Sequence, residues 1–128
     1  MKSLGSDRIH ALLFGLSEDL AGELTTPLSA VCGNIVAVGD ERSNECFAVA
    51  APNSRIIFCV ANTAVVAKLR ANHPLSPIVV VSRHPEVADW LDSIEAGATD
   101  YCAAPFETSQ VQWIVETSMR SAQAALAA

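Results

Sequence analysis

Few side chains in this 128-residue chain are of a type that does chemistry, and their spacing limits them further. Glu18 and Asp19 follow directly on the first apolar segment, and Asp40 follows the second. Carboxylates gathered at one end of a sheet supply the oxygen donors that a hard divalent cation takes. The same residues equally suit a helix start and a solvated loop, where acids complement the positive end of the helix dipole. Cys59 sits inside an apolar run, where a thiol is usually inert packing; a modified thiol is the sharper alternative. Cys32, Cys46, Cys59 and Cys102 include no C-x-x-C and have no histidine at metal spacing. His10, His73 and His84 are scattered, forming neither a triad nor a metal set. No catalytic constellation emerges, so the chain is expected not to be an enzyme and to carry no cofactor.

The elements that would position these residues alternate along the chain. Residues 9–15, 34–39, 55–61 and 77–82 are apolar runs of strand length, the pattern of strands buried on both faces. Ser17, with Glu18 and Asp19 behind it, reads as a helix start, and Leu20, Leu24, Leu28 and Val31 form one stripe. Pro27 predicts a kink or a restarted turn there, and Gly33 closes the segment. A short helix is predicted over 44–51, stopped by Pro52. Asn62 or Thr63 caps a helix carrying Val65, Val66 and Leu69. Pro85 opens another with Val87, Leu91 and Ile94 inward and Trp90 at the edge of that stripe. Thr108 begins the last helix, with Val111, Ile114, Val115, Ser118, Met119 and Ala122 on one face and Trp113 on the other. Five strands alternating with five helices imply an α/β fold, a doubly wound parallel sheet covered on both sides. Residues 1–8 read as a tail, 9–122 as one domain, and 123–128 as a helix end or linker.

Composition narrows the function classes. Apolar residues make up 51% and charged residues 17%, enough for a full core without disulfides. The net charge of −6, with no run of Lys or Arg, argues against binding nucleic acid or an anionic membrane directly. No basic-then-apolar leader and no apolar run of about 18 residues occurs, so a cytoplasmic chain is expected.

The segment Gly97-Ala98-Thr99-Asp100-Tyr101-Cys102-Ala103-Ala104-Pro105-Phe106 is the most specific in the chain. Gly97 suits the left-handed residue that closes a helix, and Pro105 biases Ala104 toward extended backbone. This segment resembles the fifth strand of response-regulator receiver (CheY-like) domains, which usually reads Gly-Ala-x-Asp-Tyr-x-x-Lys-Pro-Phe. The resemblance implies a flavodoxin-like three-layer sandwich of strand order 2-1-3-4-5 over nearly the whole chain. Receivers phosphorylate an Asp at the end of strand 3, hold Mg²⁺ with that Asp and an acidic pair after strand 1, and neutralise the phosphate with the strand-5 Lys.

Carried over position by position, the acidic pair falls at Gly15 and Leu16, the acceptor at Val60 or Ala61, and the lysine at Ala104. The strand-4 hydroxyl is retained as Ser82, which would otherwise cap the next helix, and the strand-5 switch aromatic as Tyr101. Nucleophile, metal ligands and cation are thus absent together, the pattern of a pseudo-receiver. The segment between strands 3 and 4 is also shorter than is usual for the family. The implied role is a phosphorylation-independent interaction or dimerisation module in bacterial two-component or phosphorelay signalling. A protein partner or second copy would use the face of helix 4, strand 5 and helix 5, where Trp113, Trp90 and Tyr101 lie. Two alternatives stand beside it. One is phosphorylation at a displaced acidic site of Glu18, Asp19 and Asp40. The other is the N-terminal pseudo-receiver of a CpaE/TadZ-type pilus-assembly ATPase.

Overall fold

The computed structural model describes residues 9–38, 55–73, 76–83 and 87–127. The predicted 44–51 helix, Asp40 and Cys46 lie outside these. Strands β1 (His10–Phe14), β2 (Asn34–Val38), β3 (Arg55–Val60), β4 (Ile78–Ser82) and β5 (Asp100–Ala103) form one parallel sheet. Its order is β2-β1-β3-β4-β5. Four helices occur among the described residues: α1 (Glu18–Leu28), α2 (Thr63–Asn72), α3 (Val87–Ala96) and α4 (Thr108–Ala127).

Side chains alternate across a strand, so a strand that is apolar throughout needs a cover on each face. Leu13, Phe58, Val79 and Val81 face α1 and α4, meeting Leu24, Leu28, Val111 and Val115. Leu12, Ile57, Cys59 and Val80 face the other way, toward Val66 and Leu69 of α2. No helix among the described residues is long and apolar enough to cross a membrane.

Local signals set the helix ends. The Ser17 side chain accepts the Leu20 N–H at 3.3 Å, and Asn62 Oδ1 accepts the N–H groups of Ala64 and Val65 at 2.9 and 3.3 Å. These side chains satisfy N–H groups that have no partner within the helix. Pro27 produces no restart: α1 runs on to Leu28 and stops, with Ser29 as its C-cap. Gly33 does not close the helix but donates its N–H to the Ile9 carbonyl at 3.0 Å, leading into β2. Helix α3 ends in a paired cap. The Gly97 N–H reaches the Ile94 carbonyl (3.1 Å), and the Ala98 N–H reaches that of Ser93 (3.0 Å). This 6→1 and 5→2 pairing needs a left-handed residue at Gly97, whose φ is +122°.

The sequence expectation for α3 is corrected at two positions. Leu91 and Ile94 do not point inward; they are 51% and 38% exposed, with Trp90 beside them at 45%. The residue that turns in is Ser93, at 2% exposure, with Ala96 packed against the core beside α2. Small side chains let α3 lie close to its neighbours, and that contact rotates the apolar edge outward. Helical periodicity alone cannot show which edge a neighbouring helix will occupy.

Arg70, near the end of α2, ties these elements together. Its Nε and Nη2 donate to the Gly97 carbonyl at 3.0 and 2.9 Å. Nη1 donates to the carbonyls of His73 (3.1 Å) and Ser76 (2.8 Å), and Nη2 to Thr99 Oγ1 (3.3 Å). One planar fork thereby links the end of α2, the approach to β4 and the end of α3.

Candidate functional site

Parallel strands bring their C-terminal ends to one edge of the sheet, and in open α/β sheets this edge carries ligands and chemistry. Here register fixes what meets there. Phe14 is level with Cys59, Val60 with Val81, and Ser82 with Ala103. Gly15 and Leu16, Val60 and Ala61, Ser82, and Ala104 therefore stand in sequence along that edge, while Tyr101 lies within β5, level with Val80.

The chemistry of the edge follows from its atoms. Gly15, at φ +72°, lies against Val60; a Cβ added there would meet Val60 Cγ1 at 3.4 Å. Leu16 is half-buried and packs on the core between the sheet and α1. Ala61 is exposed and Val60 half-buried. The Ala104 N–H is committed to the Ser82 carbonyl at 2.9 Å. The connection from β3 to α2 is only Ala61 and Asn62, closed by an Asn62 N–H to Val60 carbonyl bond of 2.8 Å. Among the described strand-end positions, none of Gly15, Leu16, Val60, Ala61, Ser82 and Ala104 carries a carboxylate or an ammonium. At Gly15, Leu16, Val60, Ala61 and Ala104 a phosphoryl group would find no carboxylate nucleophile and no ammonium to offset its charge.

Of the candidate acids, Asp40 lies outside the described residues. Glu18 and Asp19 are exposed in the first turn of α1, where acids complement the helix dipole. Glu23, one turn on, forms an ion pair with Arg83 just after β4. That bond, followed by the Glu23 and Asp19 charges, raises the exposed Arg83 above its ordinary pKa. Among the described residues no three His, Cys, Asp or Glu side chains gather in a metal-holding arrangement.

Tyr101 on β5 is half-buried and turned toward the α2 side of the sheet, and its Oη is buried without a hydrogen-bond partner among the described residues. Trp113 on α4 is 62% exposed and Trp90 lies on the outward edge of α3. A shallow groove of about 350 Å³ runs between α2 and α3, lined by Ala61, Asn62, Thr63, Asp92 and Ser93. Two features escape the sequence reading. Arg70 is visible only as a basic residue near a helix end, because its Gly97 and Thr99 partners are remote in the chain. The outward face of α3 is visible only as an apolar stripe.

Cys59 is buried one residue before the strand end, and burial pushes its thiol up to about 12. Cys32 is pushed to about 12 by the same cause, and Cys102 to about 11 by burial and then the Asp100 charge. The thiolate is the nucleophile, so these groups are nearly unreactive at neutral pH. Iodoacetamide at pH 8 is expected to leave all three unmodified in the folded protein and to alkylate them after denaturation, as read by peptide mass mapping. Labelling of native Cys59 would restore the modified-thiol reading.

No protein-family model and no curated protein sequence matches the chain. Solved structures do. NtrX from Brucella abortus superposes with a TM-score of 0.75 at 18% identity, over 91% of this chain and 28% of that one. The chain thus spans little more than a quarter of NtrX. The beryllofluoride-activated NtrC4 receiver domain dimer matches at TM-score 0.72 and 16% identity, over 88% of this chain and 98% of its own. A response regulator from Thermotoga maritima gives 0.74 and 16%, again over 88% and 98%. The strand-end register and these superpositions agree: the chain has the fold of response-regulator receiver domains.

Proposed function

We propose that the chain is a pseudo-receiver, a cytoplasmic, non-enzymatic module of bacterial signal transduction that acts through protein contacts and not through aspartyl phosphorylation. The observation that carries this reading is the composition of the C-terminal sheet edge. Gly15, Leu16, Val60, Ala61 and Ala104 stand where phosphoryl transfer requires carboxylates and an ammonium. A receiver without charge at these points cannot draw Mg²⁺ and a phosphoryl group to the strand ends, because each ligand is needed to offset the others' repulsion.

What the module keeps is its scaffold. Ser82 and Tyr101 remain on β4 and β5, and the outward faces of α3 and α4 beside β5 carry Trp90 and Trp113. Large exposed aromatics are common interface anchors, so output through this side of the molecule is the reading we favour.

Incubation with acetyl phosphate and Mg²⁺, followed by rapid intact-mass measurement, tests the proposal. No phosphoryl adduct is expected, at any time point. An adduct mapped to Glu18, Asp19 or Asp40 would replace this reading with phosphorylation at a displaced acidic site.

A further inference from the structure

The outward edge of α3 has a composition that specifies its partner more narrowly. Trp90, Ile94 and Leu91 fall within an arc of about 100° of the helix and are all substantially exposed, while Ser93, about 100° round from Ile94, is buried. An apolar helix edge facing water is the mark of an interaction surface. The sequence around this edge carries one sign of charge, and Asp92 and Glu95 are exposed on the helix itself. Glu86, Asp89, Asp92, Glu95, Asp100 and Glu107 lie between residues 85 and 107, and no Lys, Arg or His occurs between His84 and Arg120. The Arg70 guanidinium, the cation closest to the end of α3, is occupied by the carbonyls of Gly97, His73 and Ser76.

We propose that this edge docks a cationic amphipathic helix of another protein, with apolar side chains at i, i+3 and i+4 and Lys or Arg along its flanks. The proposal rests on the interaction-module reading and supplies the partner chemistry which that reading leaves open. Apolar anchors would cover Trp90, Leu91 and Ile94, while flanking cations meet Asp92, Glu95 and their neighbours. A second copy of this chain fits poorly. A two-fold contact through this edge sets Asp92 and Glu95 near the same carboxylates of the partner, which disfavours it.

The test uses the full chain and a synthetic 18-residue Leu/Lys helix, with a Leu/Glu helix and a scrambled Leu/Lys sequence as controls. Amide and indole NMR shifts are followed without Mg²⁺ or a phosphoryl donor. Saturable shifts centred on the Trp90 indole and residues 88–96 are expected with the amphipathic Leu/Lys peptide alone, weakening as salt is raised. The exposed substitutions Leu91→Lys and Ile94→Lys should each weaken binding at least tenfold and leave the rest of the spectrum intact.

Equal binding of the controls, or shifts elsewhere on the surface, would overturn the proposal. So would a concentration-dependent dimer abolished by Ile94→Lys, which would assign the edge to a second copy. Binding that appears only after residues 1–8 are removed would overturn it too, by showing that the chain's own tail covers the edge. Binding that appears only with Mg²⁺ and acetyl phosphate would instead sink the phosphorylation-independent reading, leaving the docking edge in place.

Discussion

Replacing Arg70 with alanine is expected to lower the unfolding free energy by about 3 kcal/mol, read as a fall in the urea midpoint at unchanged slope. Among the described residues, five donor–acceptor contacts converge on this guanidinium, and four of them go to backbone carbonyls at helix and loop ends. Those carbonyls belong to the ends of α2 and α3, which have no intrahelical donors of their own, and to the approach to β4. Charge-assisted bonds are the stronger kind, and removing the donor leaves part-buried acceptors unpaired. The corresponding fall in melting temperature is about 10 °C for a chain of this size. Arg70→Lys should recover only part of the loss, because an ammonium on a flexible stem cannot reproduce the planar fork. A change below about 0.5 kcal/mol in Arg70→Ala would show that water replaces the network at little cost.

The second large effect is at Gly97. A Cβ built there would stand 3.0 Å from Arg70 Cγ and 3.1 Å from Arg70 Cβ, at a backbone φ of +122° that L side chains rarely adopt. Gly97→Val therefore combines backbone strain with a clash against the residue that caps the same carbonyl. We expect a loss of about 3 kcal/mol, with Gly97→Ala less severe. The two sites should not be additive. In the Arg70→Ala background the nearest obstructing atom is gone, so the double variant should lose about 1 kcal/mol less than the sum of the single losses. Strict additivity would mean that backbone strain alone accounts for the glycine.

Much of this was legible in the residues. The apolar runs at 55–61 and 77–82 marked buried strands because both faces of a parallel sheet demand it, and Ser17 and Asn62 marked helix starts through their own oxygens. Gly97 followed from the chemistry of a helix end. Each of these signals is local. What was not legible depends on tertiary contact. The rotation of α3 was hidden because Ser93 and Ala96 gained their inward position from close helix packing, against what hydrophobicity alone suggests. The Arg70 network was hidden because Gly97 is 27 residues away in sequence. The convergence of Gly15, Val60, Ser82 and Ala104 needed the sheet register to bring it together.

These observations separate two properties that receiver-like chains usually combine. The fold supplies an edge at which strand ends meet, and phosphoryl transfer needs charge at that edge. In this chain the described strand ends carry Gly15, Leu16, Val60, Ala61 and Ala104 beside Ser82, while the large exposed apolar side chains, Trp90, Leu91, Ile94 and Trp113, lie on α3 and α4.

The most direct measurement is a titration of the protein with Mg²⁺ and beryllofluoride, a phosphoryl mimic, followed by amide NMR. No saturable shifts are expected at Gly15, Leu16, Val60, Ala61, Ser82 or Ala104, and none at Tyr101. Saturable shifts along that edge, or around Glu18 and Asp40, would contradict the account and make phosphorylation the controlling event.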